Sequence, residues 1–235
     1  MIEILQGDCM EYMATLDDNA FDLAIVDPPY GIGASKKVNR SGFVDQKNGS
    51  KIFVSDGDYK NKDWDSSCPK MEYFFELLRV SKEQIIWGCN YYPMVFGAGR
   101  IIWDKVNDHM DQNDCEMAYY SGNNRQDIVR YMWAGFCQGA IAGGNSKIAG
   151  VQIGDKSKNE RRIHPTQKPV KLYEWLLANY AKEGDRILDT HGGSMSSAIA
   201  AYYGGFDMTI IELDEDYYKA GKARFDHETK QQALF

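Results

Sequence analysis

Residues 21–30 read FDLAIVDPPY, and this stretch decides the fold class. Residues 21–26 form an almost continuous apolar run, which is typical of a strand buried on both faces of a parallel sheet, whereas a half-exposed strand alternates. The run ends at Asp27, Pro28, Pro29 and Tyr30. The stretch therefore predicts a central parallel strand that carries these four residues just after its carboxyl end.

Outside residues 21–30, apolar runs alternate with amphipathic segments along the chain. The pattern predicts strands at 2–5, 84–88, 100–103, 116–121, 186–189 and 208–212. It also predicts a short helix that ends near residue 16 and longer helices at 69–80, 170–181 and 194–203. Such alternation is typical of a mostly parallel, doubly wound α/β sheet, which binds ligands at the carboxyl ends of its strands. We expect a single domain over residues 1–235. Residues 33–67, which lack a sustained period, are predicted to be a long loop.

The composition argues against several classes of protein. No apolar run approaches the roughly 20 residues that a membrane span needs, and no signal sequence is evident, so we expect a cytoplasmic protein without a membrane partner. The five cysteines are widely spaced, with no Cys-x-x-Cys pair that would indicate zinc or a redox couple. No metal site is predicted.

Charge is distributed unevenly along the chain. The net charge is −7, yet basic residues cluster within 33–55 and 145–163. Two basic segments on an acidic body can bind a polyanion such as nucleic acid, although solvated surface loops would carry the same charges. The residues predicted to contact nucleic acid are Lys36, Lys37, Arg40, Lys156, Lys158, Arg161 and Arg162.

The residues after the central strand suit an amine on an aromatic base. The exocyclic amine of adenine is a poor nucleophile because its lone pair is delocalised into the ring. An enzyme must therefore accept hydrogen bonds from both N–H groups to localise the lone pair on nitrogen. The Asp27 carboxylate and the Pro28 carbonyl provide two acceptors, and consecutive prolines keep that carbonyl out of a helix or ladder. Tyr30 offers a flat face for a base swung out of a duplex, with stacking worth about 1–3 kcal/mol. A rigid turn after a strand is the alternative interpretation.

A second motif follows the predicted strand at 186–189. Asp189 precedes Gly192, Gly193 and Ser194 at a strand-to-helix junction, where glycines allow close backbone approach and helix N–H groups attract an anion. Glu212 ends the next predicted strand, where an acidic residue can bind both hydroxyls of a ribose. This pattern predicts a nucleotide-like ligand, although packing of a helix on the sheet would also explain the glycines.

Four segments carry a resemblance to a known family: residues 4–9 (ILQGDC), 27–30 (DPPY), 164–169 (HPTQKP) and 189–194 (DTHGGS), followed by Glu212. The chain resembles the amino-group DNA methyltransferases of permuted order, in which the catalytic motif precedes the cofactor motif. This resemblance covers nearly the whole chain and implies a Rossmann-like methyltransferase fold with S-adenosylmethionine as cofactor. It also implies that Asp8 binds the cofactor adenine and that Thr166 and Lys168 lie near its methionine end.

The cofactor motif departs from the family pattern Asp-Pro-Phe-x-Gly-Ser-Gly-Thr, since residues 189–196 read DTHGGSMS. We expect His191 to take the place of the missing aromatic against the cofactor and Gly192 to restore flexibility, while Met195 could reshape the pocket. A role for His191 as a catalytic base is an alternative, although methyl transfer does not require one.

These inferences predict a site-specific adenine-N6 methyltransferase that flips its target base out of double-stranded DNA. Cytosine-N4 methylation stays open because the same acceptors serve both amines, although the family more often has Ser in place of Asp27 for cytosine. A non-catalytic nucleic-acid-binding relative, or an enzyme acting on RNA or on a protein glutamine, also stays open. Residues 135–163 stand where the family has its target-recognition element, and the shortness of this element leaves a homodimer open.

Overall fold

An eight-stranded sheet lies at the centre of the computed structural model, which describes residues 1–36, 42–45, 49, 51–54, 62–107, 113–134, 137–139 and 159–230. The strands are β1 (Ile2–Gln6), β2 (Phe21–Val26), β3 (Gly42–Asp45), β4 (Lys51–Val54), β5 (Ser81–Trp87), β6 (Arg100–Asp104), β7 (Cys115–Tyr120), β8 (Gln126–Arg130), β9 (Met132–Ala134), β10 (Cys137–Gly139), β11 (Arg186–Asp189) and β12 (Asp207–Glu212). The helices are α1 (Cys9–Met13), α2 (Met71–Val80), α3 (Val170–Tyr180), α4 (Ser196–Gly204) and α5 (Glu215–Lys230). None of these helices is long and apolar enough to cross a membrane.

The strand order in the large sheet is β1-β12-β11-β2-β5-β7-β6-β8. Its neighbouring pairs are parallel except those that β7 makes with β5 and β6, so β7 runs against the other seven strands of this sheet. This topology confirms the predicted mostly parallel, doubly wound α/β fold.

Strand β2 lies in the middle of the sheet and is buried on both faces, as residues 21–26 predict. Leu23 and Ile25 pack into a hydrophobic cluster with α3 and α4, whereas Ala24 and Val26 pack on the opposite face with α2. A strand covered by helices on both sides has no solvent-exposed face, which is why its sequence does not alternate. Its carboxyl end delivers the next residues to the edge of the sheet where ligands bind.

Several elements differ from the sequence-based prediction. Residues 33–67 are not loop throughout, since their described part contains a 3₁₀ turn (Ala34–Lys36) and the antiparallel pair β3–β4. Within 135–163, strand β10 pairs with β9, and most of the other residues lie outside the described part of the chain. The elements β8 and α5 had no predicted counterpart. Helix α5 has a weak apolar pattern because it buries only Tyr217, Gly221 and Arg224.

Helix α4 begins at Ser196, two residues after the predicted start. The reason is the backbone of Met195, which is left-handed with φ of 59° and therefore cannot belong to a right-handed helix. The side chain of Met195 is fully buried in the core. The glycine-rich segment before it consequently forms a turn rather than the first turn of the helix.

Helix α5 packs directly over this turn. A Cβ added to Gly221 would lie 2.7 Å from Met195 Cγ and 2.9 Å from the Gly193 carbonyl oxygen. Arg224, one helical turn later, donates from Nη1 to the Ser194 carbonyl at 2.8 Å. The glycine in α5 therefore allows the close approach, and the arginine fixes it.

The contact at Gly221 predicts a result opposite to helix propensity. Alanine normally stabilises a helix interior by about 1 kcal/mol relative to glycine, but Gly221→Ala forces a methyl group against the turn. Because overpacking costs about 1–3 kcal/mol and the gain in helix propensity offsets about 1 kcal/mol of it, we expect the free energy of unfolding in urea to fall by up to about 2 kcal/mol. The control Ala223→Gly changes an exposed position of α5. Its free energy of unfolding should fall only by the ordinary difference in helix propensity, about 1 kcal/mol. A Gly221→Ala protein more stable than wild type would contradict this packing.

Candidate active site

A cavity of ≈ 620 Å³ opens beyond the carboxyl ends of β1, β2, β11 and β12. It brings together the whole predicted catalytic motif and every predicted cofactor residue except Asp189. These lining residues are Asp27, Pro28, Pro29 and Tyr30, and Asp8, Thr166, Lys168, His191, Gly192, Gly193, Ser194 and Glu212. In the described part of the chain, no three His, Cys, Asp or Glu side chains are grouped in a way that could hold a metal ion.

The predicted nucleic-acid contacts are only partly within the described residues. Those outside are Lys37, Arg40, Lys156 and Lys158. Lys36 ends the 3₁₀ turn that follows the catalytic loop, and Arg161 is exposed. Arg162 packs against the protein, with its guanidinium carbon 4.6 Å from the centre of the Trp133 ring. Of the two predicted side chains that the structure describes, Arg161 is exposed and Arg162 is packed.

An ion pair joins Asp27 to Lys168, with 2.5 Å between Oδ2 and Nζ. Tyr30 donates its hydroxyl to Asp27 Oδ1 at 2.7 Å, and Lys168 Nζ lies 3.0 Å from the same hydroxyl oxygen. The resemblance implied a place for Lys168 near the methionine end of the cofactor, but its contacts place it beside the predicted catalytic carboxylate. Lys168 therefore links the segment before α3 to the loop after β2.

A second carboxylate, Glu116, belongs to the same cluster and was not among the predicted site residues. Its Oε2 lies 3.1 Å from Lys168 Nζ and 3.3 Å from the Tyr30 hydroxyl oxygen. Its Oε1 lies 2.5 Å from Nζ of Lys105. Glu116 is the one charged residue of β7. That isolated acid in a strand is the only signal that the sequence offers for it.

The electrostatics of this cluster favour the charged forms of Lys168 and Glu116, whereas the pKa of Asp27 is raised. Burial alone would lower the pKa of Lys168, but Asp27 and Glu116 outweigh burial and raise that pKa above its usual value. Burial would raise the pKa of Glu116, yet Lys168 and Lys105 lower it to about 2. Burial raises the pKa of Asp27, and Lys168 opposes that rise. The ionisation of Asp27 therefore depends on the lysine beside it.

The other two predicted catalytic groups already contact protein. The Pro28 carbonyl accepts the Tyr92 hydroxyl at 2.9 Å, which leaves one lone pair for a further donor. Tyr30 stacks on Tyr91 with ring centroids 4.9 Å apart, and a Cβ added to Gly88 would lie 2.2 Å from Tyr30 Cε1. A base can therefore stack only on the ring face that Tyr91 leaves free.

Asp189 does not line the cavity, contrary to its predicted role as a cofactor-binding residue. Its carboxylate accepts the His191 backbone N–H at 3.0 Å and the Ser197 hydroxyl at 2.6 Å. Burial raises the pKa of Asp189 to about 7. Because both oxygens bind the following turn and α4, the side chain shapes that turn from behind the cavity wall.

The two glycines of the cofactor motif direct their N–H groups at the protein itself. Gly192 N–H donates to the Ile211 carbonyl at 2.8 Å, and Gly193 N–H donates to Glu212 Oε2 at 2.7 Å. These two N–H groups are therefore used within the protein. The physical reason is that the turn folds back onto the end of β12, and α4 begins only after Met195.

His191 lines the cavity where the family has an aromatic residue. Its ring lies edge-on to Tyr73 at 5.4 Å, and its Nδ1 lies 2.9 Å from Thr190 Oγ1. Burial lowers the pKa of His191 to about 4, so the ring is neutral at pH 7. Met195 does not reshape the pocket as expected, because it packs in the core instead of on the cavity wall.

A cluster of three aromatic side chains on the cavity wall was not predicted for the site. Between ring centroids, Trp64 lies 5.1 Å from His164, which in turn lies 4.3 Å from Tyr217. Burial lowers the pKa of His164 to about 3, so this ring is neutral as well. Trp64 falls in the stretch predicted as loop, where no sequence period singles it out.

The cofactor half of the cavity fits a nucleoside-linked amino acid. The cavity volume lies within the usual range of small-ligand pockets, about 300–1,000 Å³. Glu212 is held on the wall by the N–H groups of Gly193 and Asp214, at 2.7 and 2.8 Å. Asp8, whose Oδ1 caps α1, lines the same cavity. Carboxylates are suitable acceptors for ribose hydroxyls and an adenine amine, so these residues fit S-adenosylmethionine.

Comparisons with known sequences agree with this geometry. A family model described as DNA methylase matches residues 83–223, more than half of the chain. The protein YubD of Escherichia coli (strain K12) is 26% identical over 95% of this chain and 90% of its own length. The type II methyltransferase M2.DpnII of Streptococcus pneumoniae is 22% identical over 97% of this chain and 90% of its own.

Solved structures share the fold. The M1.HpyAVI–SAM complex has a TM-score of 0.55 at 17% identity, covering 96% of this chain and 100% of that one. The PvuII DNA methyltransferase, described as cytosine-N4-specific, has a TM-score of 0.53 at 14% identity, covering 97% of this chain and 90% of its own. The likeness to these structures supports the fold, and the family model goes further: this chain belongs to the N6/N4 amino-group DNA methylase family, as its four motifs predict.

Proposed function

We propose that this protein is a site-specific adenine-N6 methyltransferase that acts on double-stranded DNA. S-adenosylmethionine is the cofactor of the family, and when bound it supplies an electrophilic methyl group. The observation that carries the proposal is the Asp27 carboxylate, fixed by Lys168 and Tyr30 on the wall of the cavity that also contains the predicted cofactor residues.

The contribution of the chain is to position and polarise the target amine. Asp27 accepts a hydrogen bond from one N–H group of the amine, and the Pro28 carbonyl accepts a hydrogen bond from the other. Together these hydrogen bonds localise the lone pair on nitrogen. Lys168 favours the ionised form of Asp27 against the effect of burial, and an ionised acceptor makes the stronger hydrogen bond. Tyr30 stacks on the flipped base. Acceptors that are fixed in advance stabilise developing charge more than water does, because they need not reorganise.

The cofactor would be held by the other half of the cavity. Asp8 and Glu212 would bind the nucleoside, and His191 would pack against it in place of the family's aromatic residue. Thr166 and Ser194 would bind the methionine end. Because the N–H groups of Gly192 and Gly193 are already used, the hydroxyls of Thr166 and Ser194 would be donors at this end.

Adenine is proposed over cytosine because aspartate stands at position 27. The same acceptors would serve the N4 amine of cytosine, and one structural neighbour is described as cytosine-N4-specific. The base must therefore be identified in the product. Duplex DNA implies base flipping, since an amine inside the helix is out of reach of a methyl donor. Target recognition by residues 135–163 and a homodimer stay predictions.

The test is transfer of labelled methyl groups to unmethylated genomic DNA, followed by nucleoside analysis. We expect label in N6-methyldeoxyadenosine, with a rate for Asp27→Asn that is lower by about 10²-fold or more, as for the loss of other fixed polar groups in active sites. The matched control is Asp18→Asn, which changes an exposed aspartate outside the cavity.

Label in N4-methyldeoxycytidine would keep the mechanism and replace the proposed base. A folded wild-type protein that labels no nucleoside, with several DNA sources tested, would contradict the proposed function.

Asp8 provides an independent test of the cofactor site. Serine caps a helix about as well as aspartate, so Asp8→Ser should preserve α1 while removing a carboxylate from the cavity wall. We expect the affinity for S-adenosylmethionine, measured by calorimetry without DNA, to fall about tenfold, because hydrogen bonds to charged groups contribute about 1.5–3 kcal/mol. Glu11→Ser, at an exposed position of the same helix, is the control. Unchanged affinity in Asp8→Ser would show that the Asp8 carboxylate does not bind the cofactor.

A further inference from the structure

The turn directly after the catalytic motif presents an apolar side chain at the cavity. Ile32 lines the cavity and is 41% exposed. It stands between Gly31 and Gly33, which both have left-handed backbones, with φ of 71° and 68°. Glycine adopts this left-handed backbone without strain, whereas any other residue at position 31 or 33 would be strained.

The turn is held rigidly even though its tip is exposed. Asp65 is 1% exposed and accepts the Gly31 N–H on Oδ1 at 2.8 Å and the Ala34 N–H on Oδ2 at 2.6 Å. The Asp65 carbonyl accepts the Gly33 N–H at 2.9 Å. A Cβ added to Gly31 would lie 2.8 Å from the Cys68 backbone nitrogen. One buried aspartate therefore fixes the backbone on both sides of Ile32.

We infer that Ile32 is the side chain that enters the DNA duplex when the target base leaves it. This inference rests on the proposed function, because it requires a flipped base on Tyr30. A residue two positions away along the chain is at most about 7 Å distant, and neighbouring base pairs are about 3.4 Å apart. The Cα atom of Ile32 therefore lies within about 7 Å of the Cα atom of Tyr30, which stacks the flipped base.

The chemistry of the side chain suits that place. Flipping a base unstacks its neighbours, and proteins that distort DNA commonly fill such gaps with apolar wedges. Isoleucine is branched at Cβ and has few rotamers, so little side-chain freedom is lost on insertion. The Asp65 contacts order the backbone before DNA arrives. The nearby Leu213 is also exposed and lines the cavity, but it follows Glu212 on the cofactor side.

The experiment uses duplex oligonucleotides that contain the site mapped by methylation of genomic DNA. In one duplex the target base is paired; in the other its partner is an abasic residue, which lowers the cost of flipping. Steady-state kcat/KM is measured on both. A 2-aminopurine at the target position, or beside it for a cytosine target, reports base flipping by its fluorescence.

We expect Ile32→Ala to lower kcat/KM about tenfold on the paired duplex, because flipping costs a few kcal/mol and tenfold corresponds to about 1.4 kcal/mol. On the abasic duplex Ile32→Ala should match wild type. The fluorescence increase should be lost on the paired duplex and return with Ile32→Leu. The control Ile128→Ala changes an isoleucine that is 50% exposed on β8 and does not line the cavity, and it should behave as wild type.

An equal loss on both duplexes would overturn the inference, since Ile32 would then contact the base inside the cavity or support the fold. No loss on either duplex would overturn it as well. If the wild-type protein methylates neither duplex nor genomic DNA, the proposed function fails, and this inference fails with it.

Discussion

The ion pair between Lys168 and Asp27 is the interaction on which the other parts of the site depend. It joins the loop after β2 to the segment before α3, which are far apart in sequence. Removing two charges from water is costly, and a buried pair is tolerated when further hydrogen bonds satisfy both partners. Tyr30 and Glu116 supply those contacts, and Lys105 balances Glu116. Loss of any one member would therefore leave an uncompensated charge in the cavity wall.

The cofactor half of the cavity is supported separately, from behind. Asp189 and helix α5 fix the glycine turn without reaching the cavity, and Met195 fills the space between that turn and α5. Two departures from the family motif, Met195 and Ser196, are buried behind the turn, whereas Thr190 and His191 line the cavity. The neutral ring of His191 can pack as an aromatic residue would. This arrangement favours a working cofactor site over a non-catalytic relative.

The sequence predicted the elements whose pattern depends on local burial. Residues 21–26 could be assigned because burial on both faces leaves a continuous apolar run, and the motif order placed both chemical centres at strand ends. What it could not predict depends on tertiary geometry. Glu116 joins the site only because β7 pairs with β5. The use of the Gly192 and Gly193 N–H groups depends on the left-handed backbone of Met195, which no pattern of residue types reveals. The resemblance located Lys168 by motif order, which does not fix what a long side chain contacts.

The pH dependence of kcat/KM tests most directly whether this charge network controls the ionisation of Asp27. The acid limb of the profile reports protonation of the free enzyme's essential base, here the carboxylate that accepts the amine. Lys168 lowers the pKa of Asp27 and Glu116 raises it, so Lys168→Met should move the acid limb to higher pH and Glu116→Gln should move it to lower pH. Lys171→Met, which removes an exposed lysine of α3 that pairs with Glu174, should leave the profile unchanged. Shifts of both site variants in the same direction, or no shift in either, would contradict the account.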